Sequence, residues 1–296
     1  MSLLLAFPGC ASLARNLGAR LDTTVGRIDW RHFPDHESLV TLDGDCTGRN
    51  VGIVATLHDP DRLALPLLFA ARTARELGAR SVGIVAPYLG YLRQDARFRE
   101  GQSVSATHFA AFLSWTFDWL VTVDPHLHRN RDLGALFGLP VEVVSAVPLV
   151  ADWIRDRIAR PVLVGPDEES AQWLGPLAER LGAPVLMLNK ERHSDRDVRV
   201  SAPPAGALAD RTPVLFDDIV STGSTLIQTI VRLREAGAEP PVCIAVHGVF
   251  AGDAELWLRT AGAAGVVTTN TIEHSTNAID VVPALLPAVT RFLCSR

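Results

Sequence analysis

A chain of 296 residues, 48% of them hydrophobic, has material for two buried cores. Its formal charge of −5, from 33 acidic and 28 basic side chains, lacks the basic surplus of a nucleic-acid binder. No apolar run approaches the roughly 18–20 residues that cross a membrane. The four cysteines, Cys10, Cys46, Cys243 and Cys294, have no paired spacing, so a soluble cytoplasmic protein with reduced thiols is expected. Of the 28 basic residues 27 are arginine, and Lys190 is the only lysine. Codon usage accounts for the arginine excess but not for the one survivor. A guanidinium does not replace a compact ammonium where a point charge is needed, so Lys190 is a functional candidate.

In chain order, the apolar opening Met1–Pro8 lacks a basic leader and reads as a first buried strand. Val51–Thr56, Ser81–Pro87, Trp119–Val123, Val162–Val164, Val185–Leu188, Val214–Phe216, Val242–Val246 and Gly265–Thr268 read as further buried strands. Amphipathic stretches lie between them, among them Leu63–Leu77, Thr107–Leu113 and Thr225–Ala236. Gly78-Ala79, Gly182-Ala183 and Gly237-Ala238 close helices, with glycine suited to the left-handed position. Alternating βα units with apolar strands predict an α/β fold with parallel sheets covered by helices on both faces. Val51–Pro87 and Val214–Gly248 share the order strand, Asp-containing loop, helix, Gly-Ala, strand. A pseudo-duplication with its boundary near residues 140–150 fits that order, which any two βαβ units would also share.

Several loops carry chemistry. Arg31-His32-Phe33-Pro34-Asp35-His36-Glu37 reads alone as a turn, yet a phenylalanine beside two acceptors could stack on a base and receive its exocyclic amine. After the strand ending at Pro87, Tyr88–Ala106 carries Arg93, Arg97 and Arg99, an electropositive lip suited to a triphosphate or a solvated loop. Asp124-Pro125-His126-Leu127-His128 holds a His-x-His pair, but no cysteine or histidine cluster completes a zinc site. Gly165-Pro166-Asp167 follows a buried strand and continues into Glu168-Glu169, carboxylates that repel a pyrophosphate unless a metal or arginine intervenes. Asn189-Lys190-Glu191-Arg192-His193-Ser194-Asp195-Arg196-Asp197 is a charge run that in an average protein is a solvated loop.

The strongest signal is Val214–Thr225. An apolar strand delivers Asp217 and Asp218 at its carboxyl end, then Ser221-Thr222-Gly223-Ser224-Thr225 opens a helix. Thr225 and Gln228 have capping-box spacing, and Leu226, Ile227, Ile230, Val231 and Leu233 supply the buried stripe. Hydroxyls and backbone N–H groups at a helix N-terminus favour a phosphate dianion, and the aspartates can hold sugar hydroxyls or a cation. It is not a Walker loop, since no Gly-Lys-Ser/Thr occurs.

The Asp217–Thr225 string resembles the phosphoribosyl-pyrophosphate loop common to phosphoribosyltransferases and ribose-phosphate pyrophosphokinases. The other strings, through Thr269–His274 and the terminal helix, are similar in order to the ribose-phosphate pyrophosphokinase family over nearly the whole chain. That resemblance implies two pseudo-duplicated phosphoribosyltransferase-like units. Residues 1–143 would form an ATP-site domain and 144–296 a ribose-phosphate-binding domain, the last helix being able to pack back on the first. It implies transfer of the pyrophosphoryl group of ATP to ribose 5-phosphate with Mg2+. Phe33, Asp35, Glu37, Arg93, Gln94 and His126 would then hold ATP, with His126 and Asp167 at the metal and Asp124 in support. Asp217, Asp218 and Ser221 to Thr225 would hold ribose 5-phosphate, and Lys190 and Arg192, a Lys-x-Arg on a mobile arm, would be catalytic. A homo-oligomer, dimer or higher, is implied because the family's Phe33–Glu37 segment serves a neighbour's site. His36 stands where the family has glycine, and Glu168-Glu169 where it has small residues. A phosphoribosyltransferase would explain only Asp217–Thr225; a regulatory, non-catalytic homologue would be expected to lose the Lys-x-Arg or the metal residues.

Overall fold

The computed structural model describes residues 2–97, 99–127, 133–165, 170–188, 190–192, 198–200 and 208–294. It divides into one compact unit of Met1–Ser145, Thr271–Glu273 and Val281–Arg296, and a second of Ala146–Asn270 and His274–Asp280. The first unit opens with β1 (Ser2–Ala6), α1 (Ala11–Leu21), β2 (Thr24–His32), β3 (Ser38–Asp43) and β4 (Asn50–Val54). It continues through α2 (Pro60–Glu76), β5 (Ser81–Ala86), α3 (Ser105–Thr116), β6 (Leu120–Val123), α4 (Leu133–Leu136) and β7 (Val141–Val144). The second unit holds α5 (Val147–Arg157), β8 (Pro161–Gly165), α6 (Ala171–Leu181), β9 (Val185–Met187), β10 (Lys190–Arg192) and β11 (Val198–Val200). After these come β12 (Thr212–Val220), α7 (Ser224–Glu235), β13 (Val242–Gly248), α8 (Ala254–Ala261), β14 (Gly265–Thr269) and β15 (Asn277–Ile279), and the chain returns to the first unit as α9 (Val282–Leu293).

In the first unit the sheet order is β3-β2-β1-β4-β5-β6-β7, parallel except for the antiparallel β2–β3 pair. β4 is buried along its whole length, as expected of a strand covered on both faces. One face packs Leu3, Leu5 and Ile53 against Leu67 and Ala71 of α2 and Phe109 and Leu113 of α3. On the other, Leu4, Gly52 and Gly83 stand in register across β1, β4 and β5. The two glycines leave a trough: a Cβ at Gly83 would fall 2.0 Å from the Trp119 ring. Trp119 fills it and stacks on Phe292 of α9 with centroids 5.0 Å apart, so α9 docks here beside α1.

The second sheet, β15-β14-β13-β12-β8-β9, is parallel throughout. Leu215, Cys243 and Ala245 meet Leu226 and Ile230 of α7 and Leu258 of α8, while α5 packs on α6. Val231, expected in the stripe of α7, is exposed. The buried row is Leu226, Thr229, Ile230 and Leu233, spaced i, i+3, i+4, i+7, and residue i+5 points off it. The helix closures are as expected: Gly78, Gly182 and Gly237 have φ of +87°, +61° and +74°.

The duplication is visible in the topology. Leaving aside the β3 edge, the strand orders β2-β1-β4-β5-β6-β7 and β9-β8-β12-β13-β14-β15 are equivalent. The repeated stretches Val51–Pro87 and Val214–Gly248 are β4-α2-β5 and β12-α7-β13, at matching places in the two sheets. Even α9 on α1 in one unit answers α5 on α6 in the other.

Candidate active site

In each unit the connection from the first strand leads one way along the sheet and the connection from the next parallel neighbour leads the other way. The crevice between β1 and β4, and that between β8 and β12, are therefore topological switch points, where open α/β sheets bind ligands outside the carboxyl ends of their strands. Among the described residues, the Phe33–Glu37 turn, Arg93 and Gln94, Asp124 and His126, and Asp217–Thr225 leave their sheets at that edge or continue a strand beyond it.

In the second unit β8 pairs with β12 only as far as Val164 and Leu215, whereas β12 stays paired with β13 to Val220 and Gly248. Asp217 and Asp218 thus project past β8. They were expected to end the strand, but this pairing carries β12 on to Val220. Asp218 is buried, and its Oδ1 accepts the Ile219 N–H at 2.9 Å. Asp217 is half-buried, and its Oδ1 accepts the Asp218 N–H at 3.0 Å. The Thr225–Gln228 capping box does not form, because the N-cap is Gly223 at φ +70° with no side-chain cap. That backbone turn places Ser224 first in α7 and Thr225 inside it. Thr222 and Ser224 are exposed with their hydroxyl oxygens 3.0 Å apart. The first turn of α7 holds no acidic residue, so its positive end is uncompensated and suited to an anion.

In the first unit Phe33 to Glu37 form the β2–β3 turn, closed by the Phe33 N–H on the Glu37 carbonyl at 2.8 Å. Phe33 is exposed, with the Arg31 guanidinium 5.0 Å from its ring centre. Asp35 Oδ1 accepts the Glu37 N–H at 3.3 Å. His36 adopts φ +72°, the left-handed region where glycine carries no Cβ penalty. His36→Gly is therefore expected to stabilise the fold by up to about 1 kcal/mol, and His36→Val to destabilise it by at least as much. Thermal melts of the two variants check this, and equal melting temperatures would contradict it.

Arg93 is exposed in the turn after β5. Gln94 is tied to the start of α3 by the Ala106 N–H at 3.2 Å, and its Nε2 is buried with no hydrogen-bond partner among the described residues. Such a donor is suited to a ligand acceptor. Asp124, buried at the end of β6, receives no strain relief from glycine at φ +31°, and its N–H donates to the Val144 carbonyl at 3.0 Å. Half-buried His126 follows it. Tyr91, to which sequence reading assigned no role, adopts φ +66° and donates its hydroxyl to Asp61, a bond that raises the phenol pKa.

A cavity of about 270 Å3 occupies the switch-point crevice of this unit, lined in part by Gly9, Cys10, Trp30, Thr56, Asp59 and Glu273. None of the residues expected at the site lines it. Asp59 and Glu273 share its wall with Arg62 and His58, and burial pushes the Cys10 thiol pKa up, away from a reactive thiolate.

Asp167, His128 and the Glu168-Glu169 pair lie outside the described residues. Lys190 and Arg192, expected on a charged loop, lie in β10, a short strand paired antiparallel with β11 so that Lys190 stands opposite Val200 and Arg192 opposite Val198.

The family model described as the N-terminal domain of ribose phosphate pyrophosphokinase matches residues 3–116, and the phosphoribosyl transferase domain matches residues 145–281. A ribose-phosphate pyrophosphokinase of Halobacterium salinarum is 34% identical over 289 residues, covering 97% of this chain and 100% of the relative. One of Sulfurisphaera tokodaii is 30% identical over 279 residues, covering 93% and 94%. The crystal structure of phosphoribosylpyrophosphate synthetase from Mycobacterium smegmatis superposes with a TM-score of 0.85 at 25% identity, with all of both chains covered. Since the likeness spans both units, and not the Asp217–Thr225 stretch alone, the chain belongs to the ribose-phosphate pyrophosphokinase family.

Proposed function

We propose that the chain transfers the pyrophosphoryl group of ATP to the anomeric hydroxyl of ribose 5-phosphate, giving 5-phosphoribosyl 1-pyrophosphate and AMP. The observation that carries this reading is the pair of equivalent sheets with different equipment at the same edge. One bears the Phe33–Glu37 turn, Arg93, Gln94 and His126, and the other bears Asp217, Asp218 and a phosphate loop on a helix N-terminus. A phosphoribosyltransferase needs only the second set.

In this reading Ser221 to Thr225 bind the 5-phosphate through hydroxyls and N–H groups, while Asp217 and Asp218 accept hydrogen bonds from the ribose hydroxyls. Phe33 stacks on adenine, Asp35 and Glu37 receive its amine, and Arg93 and Gln94 hold the phosphates. The anomeric oxygen forms a bond to the β-phosphorus as the bond to the α-phosphate's bridging oxygen breaks. AMP leaves, and the hydroxyl proton is lost to solvent. The protein's task is in-line placement and neutralisation of charge on the equatorial oxygens, which Lys190 and Arg192 supply.

Mg2+ would neutralise charge on the polyphosphate. Among the described residues no three His, Cys, Asp or Glu side chains form a ligand cluster. His126 and Asp167 are the residues that would hold the ion, with ATP phosphates and water as its other ligands. The exposed Phe33 turn suits donation to a second copy of the chain, hence a homo-oligomer.

Incubation with ATP, Mg2+ and ribose 5-phosphate, followed by chromatography, is expected to yield AMP and sugar pyrophosphate in equal amounts. ADP as the main product would mean monophosphoryl transfer and would sink the assignment. Absence of turnover would favour a regulatory homologue.

A further inference from the structure

We propose that Phe250, held by His274, is a positioning residue that sets the entrance of the phosphate loop. The inference rests on the reading that this loop holds ribose 5-phosphate.

The loop after β13 grips the loop after β12 through its backbone. The N–H groups of Val249 and Phe250 both donate to the Val220 carbonyl at 3.0 Å, and the Ala251 N–H donates to the Ser221 carbonyl at 3.0 Å. Val220 ends β12 and Ser221 begins the phosphate loop, so three donors fix where that loop starts. To present them Phe250 adopts φ +42°, a conformation costly for a residue with a Cβ. Strain of this kind persists only where the surroundings enforce it, and here the side chain does so.

The Phe250 ring lies over Gly248, where a Cβ would come within 2.6 Å of the ring and 2.9 Å of Thr268 Cγ2. On its other flank the His274 ring sits 4.6 Å away between centroids. His274 is itself fixed. Its Nδ1 accepts the Thr276 N–H at 3.3 Å and lies 2.9 Å from the Thr276 hydroxyl oxygen, and its Nε2 stands 3.8 Å from Glu255 Oε2. Glu255 belongs to α8, where Arg259 holds its other oxygen at 2.9 Å. Leu258 of the same helix lies 3.5 Å from where a Gly223 Cβ would stand. The phosphate loop is thus supported at both ends from α8, through Leu258 at Gly223 and through Glu255, His274 and Phe250 at Val220–Ser221. Neither Phe250 nor His274 belongs to the set assigned to substrate, so the effect is on placement.

Two variants separate positioning from plain stability. Phe250→Ala removes the ring and keeps the strain. Phe250→Gly removes both, so its melting temperature should stay at or above that of Phe250→Ala. Calorimetry with ribose 5-phosphate, which needs no turnover, is expected to show binding weakened about tenfold in both variants, with ATP binding unmoved. Phe250→Tyr, which keeps the ring, is expected to restore normal affinity. Unchanged ribose 5-phosphate affinity in Phe250→Gly, or equal loss for ATP, overturns the inference. Binding without pyrophosphoryl transfer by the unsubstituted chain would overturn the proposed reaction and leave this inference standing; no binding at all would overturn both.

Discussion

An Asp218→Asn, Ser224→Ala double variant is expected to bind ribose 5-phosphate about 100-fold more weakly while binding ATP within about twofold of normal. Asp218 lies beyond the last residue of β12 paired to β8, beside the switch-point crevice, and is buried. Ser224 opens α7 with an exposed hydroxyl. A carboxylate accepting a sugar hydroxyl and a hydroxyl donating to a phosphate are both charge-assisted contacts, each contributing about 1.5–3 kcal/mol. Losing most of both amounts to about 3 kcal/mol, hence the two orders of magnitude. The fold should survive, because an asparagine Oδ1 can still accept the Ile219 N–H that Asp218 now accepts at 2.9 Å. Calorimetric titration of the two substrates separately is the check. Equal losses for ATP would mean that the two sheets do not divide the substrates between them.

The parallel core was legible because strands covered on both faces are apolar throughout. Val51–Val54 and Val82–Ala86 are buried at every position, and such runs stand out in sequence. The β2–β3 hairpin was not, because only Ile28 of β2 is buried, so no apolar run marks it; only its turn, through Pro34 and Asp35, could be read. Docking of α9 on the first unit depends on Gly52, Gly83, Trp119 and Phe292 meeting in space, and neither spacing nor composition encodes that meeting. At the site, the strand, the two aspartates and the helix after them were readable in order. The cap was misassigned because Thr222, Gly223, Ser224 and Thr225 all suit a helix start, and only the left-handed Gly223 decides among them. The support from Phe250 and His274 joins residues 24 positions apart through a ring contact and a strained φ, and neither leaves a periodic trace.

Lys190→Ala is expected to lower kcat by about 10²–10³, the range seen when a donor to developing transition-state charge is removed. Apparent KM for either substrate should move little, because an interaction made only in the transition state contributes nothing to ground-state binding. Two independent facts single out this residue. It is the one lysine among 28 basic positions, and it stands two residues before Arg192 in β10, at the start of a two-stranded ribbon whose second strand passes beside α7. The lysine's three rotatable donors on a flexible stem can follow charge as it shifts from the leaving oxygen to the equatorial oxygens, whereas a planar guanidinium with a fixed fork cannot. Lys190→Arg should accordingly recover only part of the lost kcat. Were Lys190 a chance survivor of an arginine-biased composition, Lys190→Arg would be silent and Lys190→Ala nearly so. Steady-state kinetics of both variants at saturating ATP and ribose 5-phosphate distinguish the two cases, since only a transition-state role ranks wild type above Lys190→Arg above Lys190→Ala in kcat at constant KM.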